Sequence, residues 1–408
     1  MEAEQRLIGC LPLFRMEKAG TDMTAVASAL LAQAKSNVNA ANSLMDLSWI
    51  FTFKGEPDMA LSTQVLALEL RQHYILRPQR GQVGLRLLAL MTPGDYLGNT
   101  PLEFLLEDSD VELQLLFLGP GLPFPDRLPA HDLIFTAVRQ ADENIPVLKL
   151  IEEHLAGRPE PVVNAPHRIP LLARETACTL LEEVPGLVMP PTVRVTRQGC
   201  QRLVSEGAEF PIIVRPVGSH RGQDLRKLEA AAGIEEYLQA SPASEFYVSR
   251  FVDYRGPDGF FRKCRIVLID GQPLVCHLAI SEHWMVNFVN SEMDKSAWKR
   301  VEEADFMAHF DQGFAHRHAV ALSAIHDRLQ LDYVVLDCSE TRDGQLLLFE
   351  ADCAAMVHAN DPAELFPYKQ PQMRKVFTAF RGLLDRAAGY QGLTSTSEPG
   401  GDLWNGKR

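Results

Sequence analysis

The chain has 408 residues, of which 46% are hydrophobic and 23% are charged, so it is long enough for two or three globular domains. Its 53 acidic side chains outnumber its 40 basic ones, and the formal net charge of −13 argues against a nucleic-acid-binding protein. No apolar run approaches the roughly 20 residues of a membrane helix, and the acidic N-terminus is unlike a signal peptide. Seven scattered cysteines, none in a CxxC pair, predict reduced, buried thiols. We therefore expect a cytoplasmic protein that binds neither a membrane nor a nucleic acid.

Residues 1–81 are predicted to be helical, because apolar side chains recur at helical spacing between Met23 and Ala34 and between Leu44 and Ile50. A glycine turn at Gly55 is followed by two Ala-Leu pairs seven residues apart. This pattern resembles the second half of a tetratricopeptide repeat, and a plain helical hairpin fits it equally well. Since a solenoid needs about three repeats, we expect these helices to pack on the rest of the protein.

Residues 82–165 are predicted to form a small α/β domain. Short apolar runs at 85–91, 111–118 and 132–138 alternate with helical stretches, which is typical of a largely parallel sheet. Substrates of such sheets bind at the carboxyl ends of the strands, here near residues 92–95 and 139–142.

Residues 166–385 follow an α+β pattern, and residues 386–408 are predicted to be a disordered tail. An apolar strand at 210–217 runs directly into the loop Gly-Ser-His-Arg-Gly at 218–222. Such a loop can offer backbone N–H groups to phosphate oxygens, although many strand-to-helix turns also carry two glycines.

Basic residues interrupt two of the apolar strands. Arg215 lies inside the strand before the glycine loop, where a charge must face a site or a partner. Arg262, Lys263 and Arg265 begin another strand, and alternate positions face opposite ways, so some of them are expected to be solvated. We select Arg265 as the residue of this group that faces a site, because it leads directly into an apolar run.

Three carboxylates are predicted to share one face of a hairpin. If Asp343-Gly344 is a two-residue turn, Asp337 faces Glu350, and Asp352 lies two residues further along the same face. Like charges opposite each other destabilise a sheet, so the arrangement favours a bound cation, with Mg²⁺ the best match to oxygen ligands. The alternatives are solvated outer-face acids or a one-residue slip that moves Asp337 to the other face.

In this order, these segments resemble the ATP-grasp superfamily of ADP-forming carboxylate–amine ligases, over roughly residues 82–380. The resemblance implies N-terminal helical hairpins, a small α/β pre-ATP-grasp domain and a two-lobed α+β ATP-grasp domain. The matching segments are 164–192 at the entry, 210–222 for the phosphate loop, 247–252 for the adenine hinge, and 331–337 with 347–352 for the magnesium strands.

The resemblance also implies a reaction: ATP phosphorylates a carboxylate, and an amine displaces phosphate from the acyl phosphate. Its implied cofactors are ATP and Mg²⁺, its substrates are small-molecule or peptide carboxylates and amines, and a homodimer is reasonable. Arg265, which touches the transferred phosphate or acyl group, and Arg215 are the implied catalytic residues. The implied nucleotide-binding residues are Arg174, Arg215, Gly218, Ser219, His220, Gly222, Arg250, Phe251 and Val252. The implied metal ligands are Asp337, Glu350 and Asp352.

Three positions depart from the superfamily pattern. Many members carry lysine at positions 174 and 215, and asparagine is usual at position 352, where this chain has Arg174, Arg215 and Asp352. The departures motivate an alternative: a catalytically degenerate nucleotide-binding adaptor that recruits a protein or peptide partner through its N-terminal helices. A kinase acting on a small acceptor is a third reading.

A polar segment after the central strand is the candidate substrate wall. It contains His277, His283, Trp284 and Asn287, and a packed loop with satisfied polar groups explains it equally well. His358 is a weaker candidate for the same wall.

Overall fold

The computed structural model describes residues 6–36, 40–203, 207–219 and 222–390. Within these ranges the α-helices are α1 (Cys10–Lys18), α2 (Met23–Ser36), α3 (Ala41–Phe53), α4 (Pro57–Leu70), α5 (Leu102–Leu105), α6 (Ile145–Leu155), α7 (Arg174–Leu180), α8 (Arg197–Arg202), α9 (Ala232–Ala240), α10 (Phe288–Ser291), α11 (Ala297–Ala308), α12 (Ala319–Leu329) and α13 (Lys369–Ala387). The strands are β1 (His73–Leu76), β2 (Leu85–Met91), β3 (Val111–Phe117), β4 (Leu133–Thr136), β5 (Val162–Val163), β6 (Leu187–Val188), β7 (Thr192–Thr196), β8 (Ile212–Pro216), β9 (Arg226–Leu228), β10 (Glu245–Arg250), β11 (Phe261–Ile269), β12 (Gln272–Ser281), β13 (Tyr333–Glu340) and β14 (Leu346–Asp352).

The first sheet has the order β1-β3-β2-β4-β5 and is parallel except for the edge strand β1. Its central strand β2 is a nearly continuous apolar run whose residues Leu87 to Leu90 are fully buried, as expected for a parallel strand covered on both faces. Helix α6 packs on one face, and the N-terminal helices pack on the other. The sheet begins before the predicted boundary at residue 82, because β1 pairs antiparallel with β3.

The N-terminal helices share a core with this sheet. Leu11 and Leu13 of α1 and Met45 and Ile50 of α3 are fully buried in the same apolar cluster as the β2 side chains. Helices α3 and α4 form a hairpin around Gly55, whose φ of +75° is a conformation that glycine adopts without strain. These helices therefore pack on the rest of the protein as expected, whereas the tetratricopeptide-like repeat stays a prediction.

Two further sheets form the lobes of the second half. The small lobe is antiparallel with the order β7-β10-β8-β9, and it has its own core around Phe246, with α9 packed on it. The large lobe has the order β12-β11-β13-β14-β6 and is antiparallel except for the β14–β6 pair. Helices α11 and α12 cover one of its faces, and α13 covers the other. The predicted fold class, helical hairpins followed by an α/β domain and a two-lobed α+β domain, is confirmed.

Helix α13 runs to Ala387, slightly beyond the predicted start of the tail, and residues 391–408 lie outside the described part of the chain. All seven cysteines are buried and none is in a disulfide, as predicted. In the described ranges, no helix combines the length and the apolar character needed to cross a membrane.

Candidate active site

A cleft of about 860 Å³ lies where the three sheets meet. The small lobe contributes Arg215 and Tyr247 to its lining, the large lobe contributes Arg265, the first α/β domain contributes Arg139, and α1 contributes Phe14. The cleft thus draws side chains from every part of the fold, at the carboxyl end of the parallel sheet where a ligand site is expected.

The carboxylate hairpin has the predicted register but not the predicted turn. Asp337 pairs with Glu350, as expected, and Asp352 pairs with Val335. Thr341 and Gln345 close a three-residue loop, so strand partners nearest the turn are one residue out of the predicted register. A bulge at Phe349 inserts one residue and restores the register at the carboxylates. The prediction for the acidic face was right, and the two-residue turn assumed for it was wrong.

Asp337 is neutralised by two cations from the neighbouring strand. Its Oδ1 and Oδ2 lie 2.7 and 3.0 Å from Nε and Nη2 of Arg265, and Oδ2 lies 2.8 Å from Nζ of Lys263. Burial opposes ionisation of this carboxyl, but the two cations outweigh it and hold its pKa well below its usual range. Arg265 also donates from Nη1 to the carbonyl of Met356 at 2.9 Å, so its guanidinium is fixed on two sides.

Glu350 is paired with Arg174 at the start of α7. The distance from Nη2 of Arg174 to Oε1 of Glu350 is 2.7 Å, and Nη1 donates to the Phe349 carbonyl at 3.3 Å. The bulge takes Phe349 out of the strand pairing, and its carbonyl accepts this bond. Burial opposes ionisation of Glu350, but Arg174 and then Arg215 lower its pKa overall. A forked guanidinium makes both contacts, which a lysine ammonium would not reproduce.

Arg215 lies buried between the small lobe and the carboxylates. Burial, with the nearby Arg174, lowers its pKa to about 10, which still leaves it protonated at neutral pH. Its Nε donates to Oγ of Ser219 at 3.2 Å, and a second nitrogen donates to the Ser219 carbonyl. Ser219, at the start of the glycine loop, therefore holds the Arg215 guanidinium in place. Gly218 and Ser219 do not line the cleft, Gly222 does, and His220 lies outside the described residues.

The Asp352 carboxylate lies near Arg139, a cation of the first α/β domain. Its Oδ2 lies 3.9 Å from Nη2 of Arg139, at the carboxyl end of the parallel sheet, and its Oδ1 accepts the Ala354 N–H at 2.8 Å. Burial raises the pKa of Asp352, and Arg139 only partly opposes this. The negative charge of Asp352 is thus partly compensated by Arg139, which belongs to the first α/β domain and not to either lobe.

The donor chemistry of the three carboxylates fits Mg²⁺, because all of the donors are oxygens on neighbouring sheet positions. The three carboxylates do not form a preformed metal site. Within the described ranges, no group of three or more histidine, cysteine or carboxylate side chains is arranged to hold a metal. Each carboxylate is instead compensated by arginine or lysine. We name these eight side chains the central charge cluster: Arg139, Arg174, Arg215, Lys263, Arg265, Asp337, Glu350 and Asp352.

The predicted adenine hinge lines the small-lobe side of the cleft. Arg250, Phe251 and Val252 all contribute to it. The Phe251 ring meets Trp284 edge to face at 5.8 Å, and Nζ of Lys227 lies 4.1 Å from its centroid. The N–H of Phe251 donates to the Pro211 carbonyl at 3.0 Å, which fixes the hinge against β8.

The candidate substrate wall is brought together only in part. His277, Trp284 and Asn287 line the cleft, whereas His283 is exposed and does not. His277 pairs across the strands with Arg265, and burial, aided by that cation, lowers its pKa well below its usual value, so the imidazole is neutral. The Asn287 side chain caps α10 by accepting the Asn290 N–H at 2.9 Å.

His358 also lines the cleft, and its Nδ1 accepts the Asn360 N–H at 3.1 Å. Burial lowers the pKa of His358.

Sequence reasoning missed four residues that line the site. Lys263 shares a strand face with Arg265, so the alternation of strand residues could have found it. Arg139 lies at a strand end already named as a ligand edge. Phe14 and Lys18 of α1 had no such signal, because an amphipathic helix does not reveal which surface it covers.

Comparison with known proteins gives structural similarity only. No protein-family model matches the sequence, and no curated protein matches it. Similar solved structures include a D-alanine–D-alanine ligase from Bacillus anthracis complexed with ATP (12% identity, 76% of this chain and 100% of that one, TM-score 0.47). Another is a RimK domain protein ATP-grasp from Sphaerobacter thermophilus (15% identity, 75% of this chain and 98% of that one, TM-score 0.44). A third is D-alanyl-alanine synthetase A from Vibrio cholerae (11% identity, 76% of this chain and 100% of that one, TM-score 0.48). The predicted ATP-grasp resemblance is confirmed as a similarity of fold.

Proposed function

We propose that the protein is an ATP-dependent, ADP-forming ligase that activates a carboxylate as an acyl phosphate and joins it to an amine. The observation that carries the proposal is the central charge cluster, in which five basic side chains surround three carboxylates. The cluster therefore keeps two positive charges. It is complementary to Mg·ATP, which carries roughly two negative charges near neutral pH.

Within this proposal, the side chains of the cluster have separate roles. Mg·ATP would supply the phosphoryl group, and Arg174 and Arg215 would bind its phosphate oxygens through their forked guanidinium groups. Asp337, Glu350 and Asp352 would hold the metal. Arg174 contacts Glu350 in this structure, so binding requires it to exchange a carboxylate for a phosphate.

Arg265 is the side chain best placed to stabilise charge on the acyl group. Asp337 and the Met356 carbonyl hold its guanidinium in the cleft before any substrate arrives, and a preorganised cation costs little reorganisation during reaction. His277 beside it is neutral and can accept a hydrogen bond from an amine, but its lowered pKa makes it a weak base. We therefore assign it to orienting the substrate.

Thermal unfolding with and without Mg·ATP tests the nucleotide site. A ligand at 100 times its Kd stabilises the folded state by about 2.7 kcal/mol, so the native chain should melt at a higher temperature when Mg·ATP is present. Glu350→Ala should lose most of this shift. Glu340→Ala is the matched control, because Glu340 lies on the same hairpin but pairs with Arg317 at 2.9 Å, away from the cleft. No shift in the native chain would contradict the proposal.

Product analysis then separates the ligase from its alternatives. Incubation with Mg·ATP and mixtures of carboxylates and amines should release ADP and phosphate together with an amide. A stable phosphorylated product without an amide would instead indicate a kinase. Mg·ATP binding with no ADP release from any mixture would favour the nucleotide-binding adaptor over both enzymes.

One observation favours the adaptor as a second candidate. Helix α4 exposes Leu61, Val65, Leu66 and Leu70, an apolar surface on the N-terminal segment. Removing the whole segment is a poor test, because α1 and α3 belong to the main core. Replacing Leu61 and Val65 with serine should abolish partner capture and preserve the Mg·ATP shift if the adaptor reading is correct.

A further inference from the structure

Helix α1 reaches into the cleft from the side of the large lobe and the first domain. Phe14 and Lys18 line the cleft, and the Phe14 ring lies 5.5 Å from Phe104 and 6.3 Å from His358. Nε of Arg15 donates to Oδ1 of Asn360 at 2.8 Å, in the segment after β14. The adenine hinge, by contrast, belongs to the small lobe. Helix α1 is therefore placed at the part of the cleft left for the substrate.

Two carboxyl groups, of the buried Asp46 and the half-buried Glu103, hold the start of α1 in place. Asp46 of α3 accepts the N–H groups of Ile8 and Gly9 at 2.9 and 3.1 Å, and Glu103 of α5 accepts those of Cys10 and Leu11 at 3.0 Å each. Four consecutive backbone donors at the start of the helix are thus satisfied by two carboxyl groups. These four hydrogen bonds form a clamp that adds to the apolar contacts of α1 and fixes the start of the helix.

Gly9 shows how closely the clamp fits. Its φ is +100°, and an added Cβ would lie 2.7 Å from Oε2 of Glu103 and 2.8 Å from Cδ2 of Leu76. Only glycine allows the chain to enter α1 along this path. A helix fixed so tightly at its start carries Phe14 and Lys18 at defined positions one to two turns later.

The charges beside α1 have both signs. Lys369 is buried between Glu303 and Asp361, with Nζ to carboxylate distances of 3.2 and 3.0 Å, so this lysine is already paired and is not free for an incoming anion. Among the described residues, the ion pair of Lys18 is an exposed contact to Glu17 at 3.5 Å, and its Nζ lies 5.4 Å from the Phe14 ring centroid. Exposed pairs of this kind are weak, so the Lys18 ammonium is available to an anionic group that enters the cleft beside an apolar surface.

We infer that α1 forms one wall of the substrate subsite, where Phe14 packs on the substrate and Lys18 selects an acidic amino acid or short acidic peptide. This inference rests on the proposed function, because the substrate subsite is defined by the nucleotide site next to it. It makes the N-terminal segment a specificity element of the cleft.

The test measures dipeptide binding to the full chain in the presence of Mg²⁺ and the non-hydrolysable analogue β,γ-methylene ATP. Melting temperature is recorded with added Ala-Glu or Ala-Lys at equal concentration. The native chain should be stabilised more by Ala-Glu, and Lys18→Glu should reverse this order, with Ala-Glu binding weakened about fivefold. Lys35→Glu is the matched control: it makes the same change of charge at an exposed site on α2, and the native order should persist.

The outcomes separate the inference from the function on which it rests. No shift with the ATP analogue contradicts the proposed nucleotide site, and the inference then falls with it. A shift with the analogue but none with either dipeptide overturns the inference alone. So does an unchanged order in Lys18→Glu, a variant at a side chain that is 60% exposed.

Discussion

The ion pair between Arg139 and Asp352 should couple the first α/β domain to the carboxylate hairpin. The two side chains are only 15% and 17% exposed, and the distance from Nη2 to Oδ2 is 3.9 Å. At an effective dielectric constant of 20, two unit charges at this distance attract by about 4 kcal/mol. Desolvation offsets much of that energy, so we expect a coupling of roughly 1–2 kcal/mol in the free energy of unfolding.

A double-mutant cycle measures this coupling. Urea unfolding of the native chain, Arg139→Gln, Asp352→Asn and the double variant should show that the double variant is less destabilised than the sum of the single ones. Burial raises the pKa of Asp352, so the carboxylate is lost on acidification and the coupling should be larger at pH 8 than at pH 5. The Arg80–Asp108 pair is the control: it is shorter, at 3.1 Å, but exposed, and should couple weakly. A coupling for Arg139–Asp352 no larger than that of the control would refute the reasoning.

Three further changes test other parts of the site. Arg174→Met should weaken Mg·ATP binding by at least about tenfold in calorimetry, since a charge-assisted phosphate contact is lost, and unchanged affinity would exclude Arg174 from the phosphate site. Gly222→Ala should weaken the same binding, because φ is +75° and the added Cβ would lie 3.0 Å from the Met285 sulfur; an affinity equal to that of the native chain would show that the loop tolerates the strain. Burial raises the pKa of Asp46 to about 7, so its contribution to stability is present below the unfolded value near 4 and is lost as the pH rises towards 7. Asp46→Asn should therefore flatten the fall in unfolding free energy between pH 4 and 7, and an unaltered slope would contradict this.

Strand alternation predicted the acidic face of the hairpin because side chains two residues apart lie on the same side of a strand. Asp337 and Glu350 pair as expected, although the turn has three residues and a bulge at Phe349 corrects the register. A bulge arises from how the strand packs and twists, so the turn residues alone did not reveal it. The position of Arg215 inside an apolar strand predicted that it faces a site or a partner, and its buried guanidinium lies beside the carboxylates and donates to Ser219.

The sequence by itself determined the order of the elements and, with the family resemblance, the fold class and the cleft positions of Arg215, Arg265, Asp337, Glu350 and Asp352, because hydrophobic periodicity indicates which face of an element is buried. It did not determine which cation compensates which carboxylate. Arg139 meets Asp352, and Phe14 meets His358, across long stretches of chain. Only tertiary packing decides such contacts, since periodicity describes one element and says nothing about the element packed against it.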